Sequence, residues 1–190
     1  MELTTLSESP YLEILSTTAK PVSLGELWQQ QPLVVALVRH FGCPFCHEQI
    51  SDLETVQCRL QQLGMRVIVL GNGNPTDAAS FQSKHPSFEV FTDPSRRVYR
   101  LLGMKHTVFG TIGPEATRHL LRAWRSGFRF SGVRGDAWQQ GGVALFVAGR
   151  VEYVERLATA GQKLDLQRLV RAAQRWSSTV PVAANVKATG

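Results

Sequence analysis

Two of the chain's three cysteines stand three positions apart, in Cys43-Pro44-Phe45-Cys46; the third is Cys58. A thiol pair at this spacing, on one helical turn, can form and break a disulfide with little backbone movement. A helix start supplies what such chemistry needs: unpaired N–H groups and about half a positive charge, which favour thiolate over thiol. A thiolate is the competent nucleophile towards disulfides and peroxides. The second sulfur can resolve a mixed disulfide, or a sulfenic acid before it is oxidised further. Pro44 belongs at a first helical position, where its missing N–H is not needed.

The same residues spell other chemistries. Cys43 to His47 reads Cys-x-x-Cys-His, the attachment signature of c-type haem. That attachment usually happens outside the cytosol, and the chain shows no secretory signal and no obvious distal methionine ligand. A zinc site needs two more ligands; His40 and His47 are near, but no second Cys-x-x-Cys and no His-x-x-x-His follows. A pair of purely structural cysteines has little use for a helix N-terminus. No cofactor and no metal is therefore expected.

Arg39 and His40 lead into the motif. A cation beside a cysteine lowers its pKa. Adjacent strand residues face opposite sides, so at most one of the two is expected at the sulfur. His40 is a candidate acid–base group, and His47, on the first helical turn, is expected to face solvent. Cys58 lies about 120° round the same helix from Cys46 and about 18 Å further along it. It cannot join the pair without unwinding and is expected to be a bystander.

These residues need a scaffold, and the hydrophobic pattern supplies one. Leu33–Val38 is six consecutive apolar residues after Pro32, the mark of a strand buried on both faces. Phe45, Ile50, Leu53, Leu60 and Leu63 follow at helical spacing until Gly64, and Met65–Leu70 is a second buried strand. Strand, helix and strand in about 40 residues make a βαβ unit with a right-handed crossover. Further on, the pattern predicts a helix over Pro75–Lys84, a strand over Phe88–Phe91 and a helix over Ser95–Leu102. An amphipathic stretch, Pro114–Arg125, lies in a Gly- and Arg-rich segment from Gly110 to Gly142. A hairpin follows, Val143–Val147 and Val151–Val154 about Ala148-Gly149, then a helix capped by Asp165 and running to Trp176. The order points to an α/β class and a single thioredoxin-like domain, a central mixed sheet flanked by helices. That domain is expected over 20–176, with an N-terminal extension over 1–19 and a disordered tail over 177–190.

Composition bounds the rest. With 190 residues, 43% hydrophobic and 19% charged, the chain is one ordinary globular domain, neither disordered nor collagen-like. Three cysteines are too few for a disulfide scaffold. The formal net charge is +6. The surplus forms no Lys/Arg run and no aromatic-interleaved basic motif, so no nucleic-acid partner is expected and the charge reads as a solvated face. Six apolar residues fall far short of the ~20 needed to span a bilayer, so no membrane partner is expected. Residues 1–18 carry three glutamates and no positive side chain, unlike a secretory or transit peptide, and a cytoplasmic, reducing compartment is expected.

The segment Arg39-His40-Phe41-Gly42-Cys43-Pro44-Phe45-Cys46 resembles the active-site segment of the peroxiredoxin-like 2 proteins, an AhpC/TSA-type branch of the thioredoxin fold. The resemblance continues through Val67–Gly71, Phe91-Thr92-Asp93-Pro94, Tyr99, Leu102-Gly103-Met104-Lys105 and Gln139-Gln140-Gly141-Gly142, and covers about residues 25–175. It implies an antioxidant thiol–disulfide oxidoreductase with Cys43 and Cys46 as the redox pair. The substrate would be a peroxide or a disulfide, and the reductant of thioredoxin or glutathione type. Ordinary peroxiredoxins carry Pro-x-x-x-Thr-x-x-Cys; here Cys43 stands at the threonine position, Cys46 is the formal match to the peroxidatic cysteine, and the proline position is not proline. In thioredoxins the first cysteine of the pair attacks, which would be Cys43. Thioredoxins also place a cis-proline beside the disulfide, where this chain has Gln140-Gly141-Gly142; Gly141 and Gly142 would let a substrate backbone approach closely. The alternative to an enzyme is a redox-sensing or binding module that uses the thiol state to alter a surface. For the Arg-rich Gly110–Gly142 segment, the expectation under either reading is a lid over the motif or a docking face for an acidic partner.

Overall fold

A computed structural model describes residues 12–112, 114–125, 127–128 and 131–179. The elements in chain order are β1 (Glu13–Ser16), β2 (Pro21–Ser23), α1 (Leu24–Gln30), β3 (Leu33–Leu37), α2 (Pro44–Gln62), β4 (Arg66–Gly71) and α3 (Pro75–Gln82). They continue as β5 (Glu89–Thr92), α4 (Arg97–Leu101), α5 (Phe109–Ile112), α6 (Pro114–Arg125), β6 (Gly142–Val147), β7 (Arg150–Arg156) and α7 (Leu166–Thr179).

One mixed sheet runs β2-β1-β5-β4-β3-β6-β7. β3, β4 and β5 are parallel, and β6 pairs antiparallel with β3, Leu37 opposite Gly142. The α/β class, with a single sheet flanked by helices, is thus as expected. β3 lies between two partners and is buried at every position, which is why its sequence does not alternate. Its successive residues serve opposite layers. Val34 and Ala36 pack with Ile50, Leu53 and Leu60 of α2, Phe81 of α3 and Leu169 of α7. Leu33, Val35 and Leu37 pack with Leu24, Trp28, Tyr99 and Phe146.

α2 starts where Cys43 is extended (φ −80°, ψ 126°) and Pro44 takes the first turn. It ends at Gly64, whose φ of +80° suits glycine, while the Met65 N–H turns back to Leu60 O at 3.0 Å. Asp165 Oδ1 accepts from the Arg168 N–H at 3.0 Å at the start of α7.

The pattern missed the chain's beginning. β1 has four residues and β2 three, too short for a period to register, yet β1 lies inside the sheet between β2 and β5. Of the expected extension, residues 1–11 lie outside the described ones. The segment from Ser177, expected as a loose tail, begins as the last turn of α7, and 180–190 lie outside the described residues. No helix among the described residues is long and apolar enough to cross a membrane.

Candidate active site

After β3 the chain continues one more residue in the ladder, the Val38 N–H donating to Leu70 O at 2.9 Å, and then turns through Arg39–Gly42 into α2. The segment 131–134 crosses this turn. Phe41 N–H donates to Arg134 O at 3.2 Å and Ser131 N–H to Gly42 O at 3.1 Å. The approach is so close that a Cβ on Gly42 would lie 1.9 Å from Gly132 O, so position 42 has room only for glycine.

The turn brings Cys43 and Cys46 together, both as free thiols, 2% and 1% exposed. The thiols hydrogen-bond to each other. Arg39 addresses both. Its backbone N–H donates to Cys46 Sγ at 3.2 Å, and its guanidinium Nη1 donates to Cys43 Sγ at 3.4 Å. Burial opposes ionisation of Cys43, but the Cys46 thiol, the Arg39 charge and the N–H groups of Cys46 and Phe45 outweigh it and bring the pKa down to about 6. Cys46 moves the other way: burial and the neighbouring Cys43 hold its thiol protonated. The balance of burial and neighbours thus pushes the two thiols in opposite directions, Cys43 towards thiolate and Cys46 towards the protonated form.

Arg39 is itself 5% exposed and fixed at several points. Nη2 donates to Thr111 Oγ1 at 2.8 Å and to Ala137 O at 2.5 Å, and Asn72 Nδ2 donates to Arg39 O at 2.6 Å. Its Nε has no partner among the described residues. Asn72 in turn accepts from the Asp136 N–H at 2.8 Å.

His40 is 3% exposed, and its Nδ1 accepts from the Arg134 N–H at 3.5 Å. Burial, then the Arg39 charge, lower its pKa to about 4, so the ring is neutral at physiological pH. His47 is not at the surface as expected. It is 8% exposed, stacked on Phe81 at 4.6 Å between centroids, with Nδ1 2.8 Å from His85 Nε2. Phe81 of α3 and His85 of the following loop cover the side of the first turn of α2 on which His47 stands. Burial, then His85, lower its pKa to about 4.

Pro44 is buried at the head of α2. Gly141 and Gly142 are also buried, and both meet the chain's own backbone: a Cβ would lie 2.3 Å from Leu37 O at Gly141 and 2.2 Å from Glu155 O at Gly142. Their smallness is therefore already required by strand packing at the β3–β6–β7 junction. Cys58 is exposed on α2. Among the described residues no cluster of three or more His, Cys, Asp or Glu is grouped to hold a metal ion.

Reading the sequence singled out Arg39 but not what holds it. Thr111, Ala137 and Asn72 are 72, 98 and 33 positions away, and none carries a local motif. The Arg-rich segment did contain a signal. Arg122 of α6 pairs with the buried Glu48 of α2 through Nε and Nη2 at 3.1 and 2.8 Å, which ties the segment to the active-site helix.

The sequence profile of the AhpC/TSA antioxidant enzyme family matches residues 52–158, a stretch that begins after the cysteine pair. A chloroplastic thioredoxin-like protein of Arabidopsis thaliana is 25% identical over 173 residues, 85% of this chain and 69% of its own length. Human peroxiredoxin-like 2C is 30% identical over 158 residues, 76% of this chain and 70% of its own. In three dimensions, peroxiredoxin Q of Xanthomonas campestris superimposes with a TM-score of 0.64 at 13% identity, covering 93% of this chain and 97% of that one, a likeness of fold. By profile, relatives and fold together, the chain belongs to the AhpC/TSA antioxidant enzyme family as a peroxiredoxin-like protein.

Proposed function

We propose that the chain is a thiol–disulfide oxidoreductase of peroxiredoxin-like type in which Cys43 attacks and Cys46 resolves. The observation that carries this reading is the division of labour by Arg39: its charge faces Cys43, and its neutral backbone N–H faces Cys46. With a hydroperoxide, the Cys43 thiolate takes the terminal oxygen, the O–O bond breaks, and the alkoxide or hydroxide leaves and is protonated from water. Cys43 is then a sulfenic acid, oxidised by two electrons. The Cys46 sulfur displaces its hydroxyl, which departs with the Cys46 proton as water, and a Cys43–Cys46 disulfide forms. A dithiol of thioredoxin type, or two glutathione-type thiols, returns two electrons and two protons. With a disulfide substrate the first step is thiol–disulfide exchange, and Cys46 releases the mixed disulfide.

The test is turnover of peroxide and of an oxidised dithiol by wild type, Cys43→Ser and Cys46→Ser. Cys43→Ser should be inactive, and Cys46→Ser should stall as a sulfenic acid or mixed disulfide on Cys43. A stalled adduct on Cys46 in Cys43→Ser would reverse the roles, as the peroxidatic match of Cys46 would have it. The burial of both sulfurs favours a second reading, a redox sensor. In that case the disulfide forms reversibly with negligible steady-state turnover, and a partner binds one redox state alone.

A further inference from the structure

We propose that Thr111 is a positioning residue of the redox site, holding the Arg39 guanidinium against the Cys43 sulfur. The inference rests on the reading of Cys43 as the nucleophile and adds a residue that no motif marks.

The hydroxyl of Thr111 is fully employed. It accepts from Arg39 Nη2 at 2.8 Å and from Gln140 Nε2 at 3.1 Å. Both of its acceptor positions are thereby taken by N–H donors, so its own proton goes to a carbonyl, with Ala137 O at 3.1 Å and Thr107 O at 3.3 Å in reach. That arrangement fixes the guanidinium from the side opposite Cys43. Nη2 is anchored, Nη1 is left to face the sulfur, and Nε has no partner to compete for the group's orientation among the described residues. A guanidinium is planar, so holding one Nη sets the direction of the other.

Thr111 and Gln140 come from segments that meet at the antiparallel bridge His106–Gln139. Gln140 is itself 0% exposed, and the second proton of its Nε2 has the Thr107 and Trp138 carbonyls in reach, at 3.4 and 3.3 Å. The anchor therefore sits on packed structure. The charged or ionisable neighbours that bear on Cys43 are Arg39 and Cys46, so the orientation of Arg39 is one of few levers on the sulfur.

The experiment titrates Cys43 by its thiolate ultraviolet absorbance below pH 9 in a Cys58→Ser parent, where Cys46 stays protonated, and compares Thr111→Val, Thr111→Ser and Thr111→Ala. Valine keeps the shape and removes the hydroxyl. Its midpoint should rise by roughly one pH unit, a tenfold loss of thiolate below the midpoint. Serine should stay with the parent, and alanine should follow valine. A Thr111→Val midpoint equal to the parent's overturns the inference, as does a fall in melting temperature with no change of midpoint. Should Thr111→Val not fold, the contrast between Thr111→Ala and Thr111→Ser gives the same answer. A parent that titrates as an ordinary thiol overturns instead the reading of Cys43 on which the inference stands.

Discussion

The side chain of Arg39 donates to Cys43 Sγ at 3.4 Å while its backbone N–H is turned, one peptide earlier in the same residue, towards Cys46. A single residue thus treats two neighbouring thiols differently. Replacing Arg39 with Met removes the charge and keeps the backbone donor. Cys43 should then titrate higher by about one to two units, because an opposite charge at such range is worth about that much. Alkylation of Cys43 by iodoacetamide as a function of pH measures it. A profile unmoved by the substitution would show that the Cys46 thiol and the helix end prepare the thiolate without the charge.

Acid should destabilise the reduced protein in two overlapping windows. Cys43 is lowered from its ordinary 9.0 to about 6, so its contribution to stability is complete above pH 9 and lost as pH falls through about 6. His40 and His47 are lowered from 6.5 to about 4, chiefly by burial; they favour the folded state above pH 6.5 and lose that contribution as pH falls to about 4. His85 is lowered in the same direction, also by burial first. Melting temperature against pH should therefore fall from 9 to 4, and His47→Gln should flatten the limb below 6.5. Forming the Cys43–Cys46 disulfide should abolish the part between 9 and 6, leaving the histidine part unchanged.

Arg122→Ala should cost about 2 kcal/mol, since the Glu48 carboxylate, 8% exposed, loses a two-pronged partner and keeps, among the described residues, Lys163 at 3.5 Å. For a chain of this size that is a fall of about 4–8 °C in melting temperature. The Gly161 carbonyl, which accepts from the same Arg122 Nη2 at 2.7 Å, is freed as well. Hydrogen exchange should show the loss of protection concentrated in α6. A uniform loss across the chain would mean that the pair does not tie this segment down locally.

Tyr99→Phe should destabilise by about 1–2 kcal/mol with no change in Cys43 reactivity. The Tyr99 hydroxyl is fully buried between Val38 O at 2.6 Å and Leu70 O at 2.8 Å. Leu70 O keeps the Val38 N–H, whereas Val38 O is left without this donor. Urea unfolding measures the first half of the claim, and the alkylation rate of Cys43 the second.

What could be read from the residues follows the range of the physics. Leu33–Val38, the helical spacing from Phe45 to Leu63 and the hairpin about Ala148-Gly149 are local patterns, and the structure places elements there within a residue or two. Asn74 caps α3 ahead of Pro75 through its side chain, which accepts from the Asp77 N–H at 2.8 Å, so that start too is written locally. β1 and β2 are not, because they owe their place to a register with β5, Leu15 opposite Thr92, across 77 positions of chain. The candidate site divides in the same way. The cysteine pair and Arg39 lie within eight consecutive residues, but the Thr111–Gln140 anchor exists only once the 106–140 segment has folded back. Burial of His47 was invisible for a like reason, since nothing in the first turn of α2 announces that Phe81 and His85 will close over it.

Two sulfurs at 2% and 1% exposure make the site a sieve. On the function proposed above, hydrogen peroxide would need only a small local opening to reach Cys43, whereas a folded disulfide protein would need the backbone around the motif to open far enough to admit a second chain. For that larger class the reaction rate would then have a ceiling set by how often such an opening occurs, and adding more substrate would not raise it. Comparing the concentration dependence for hydrogen peroxide and for a folded disulfide protein would expose that ceiling as saturation in the second case alone.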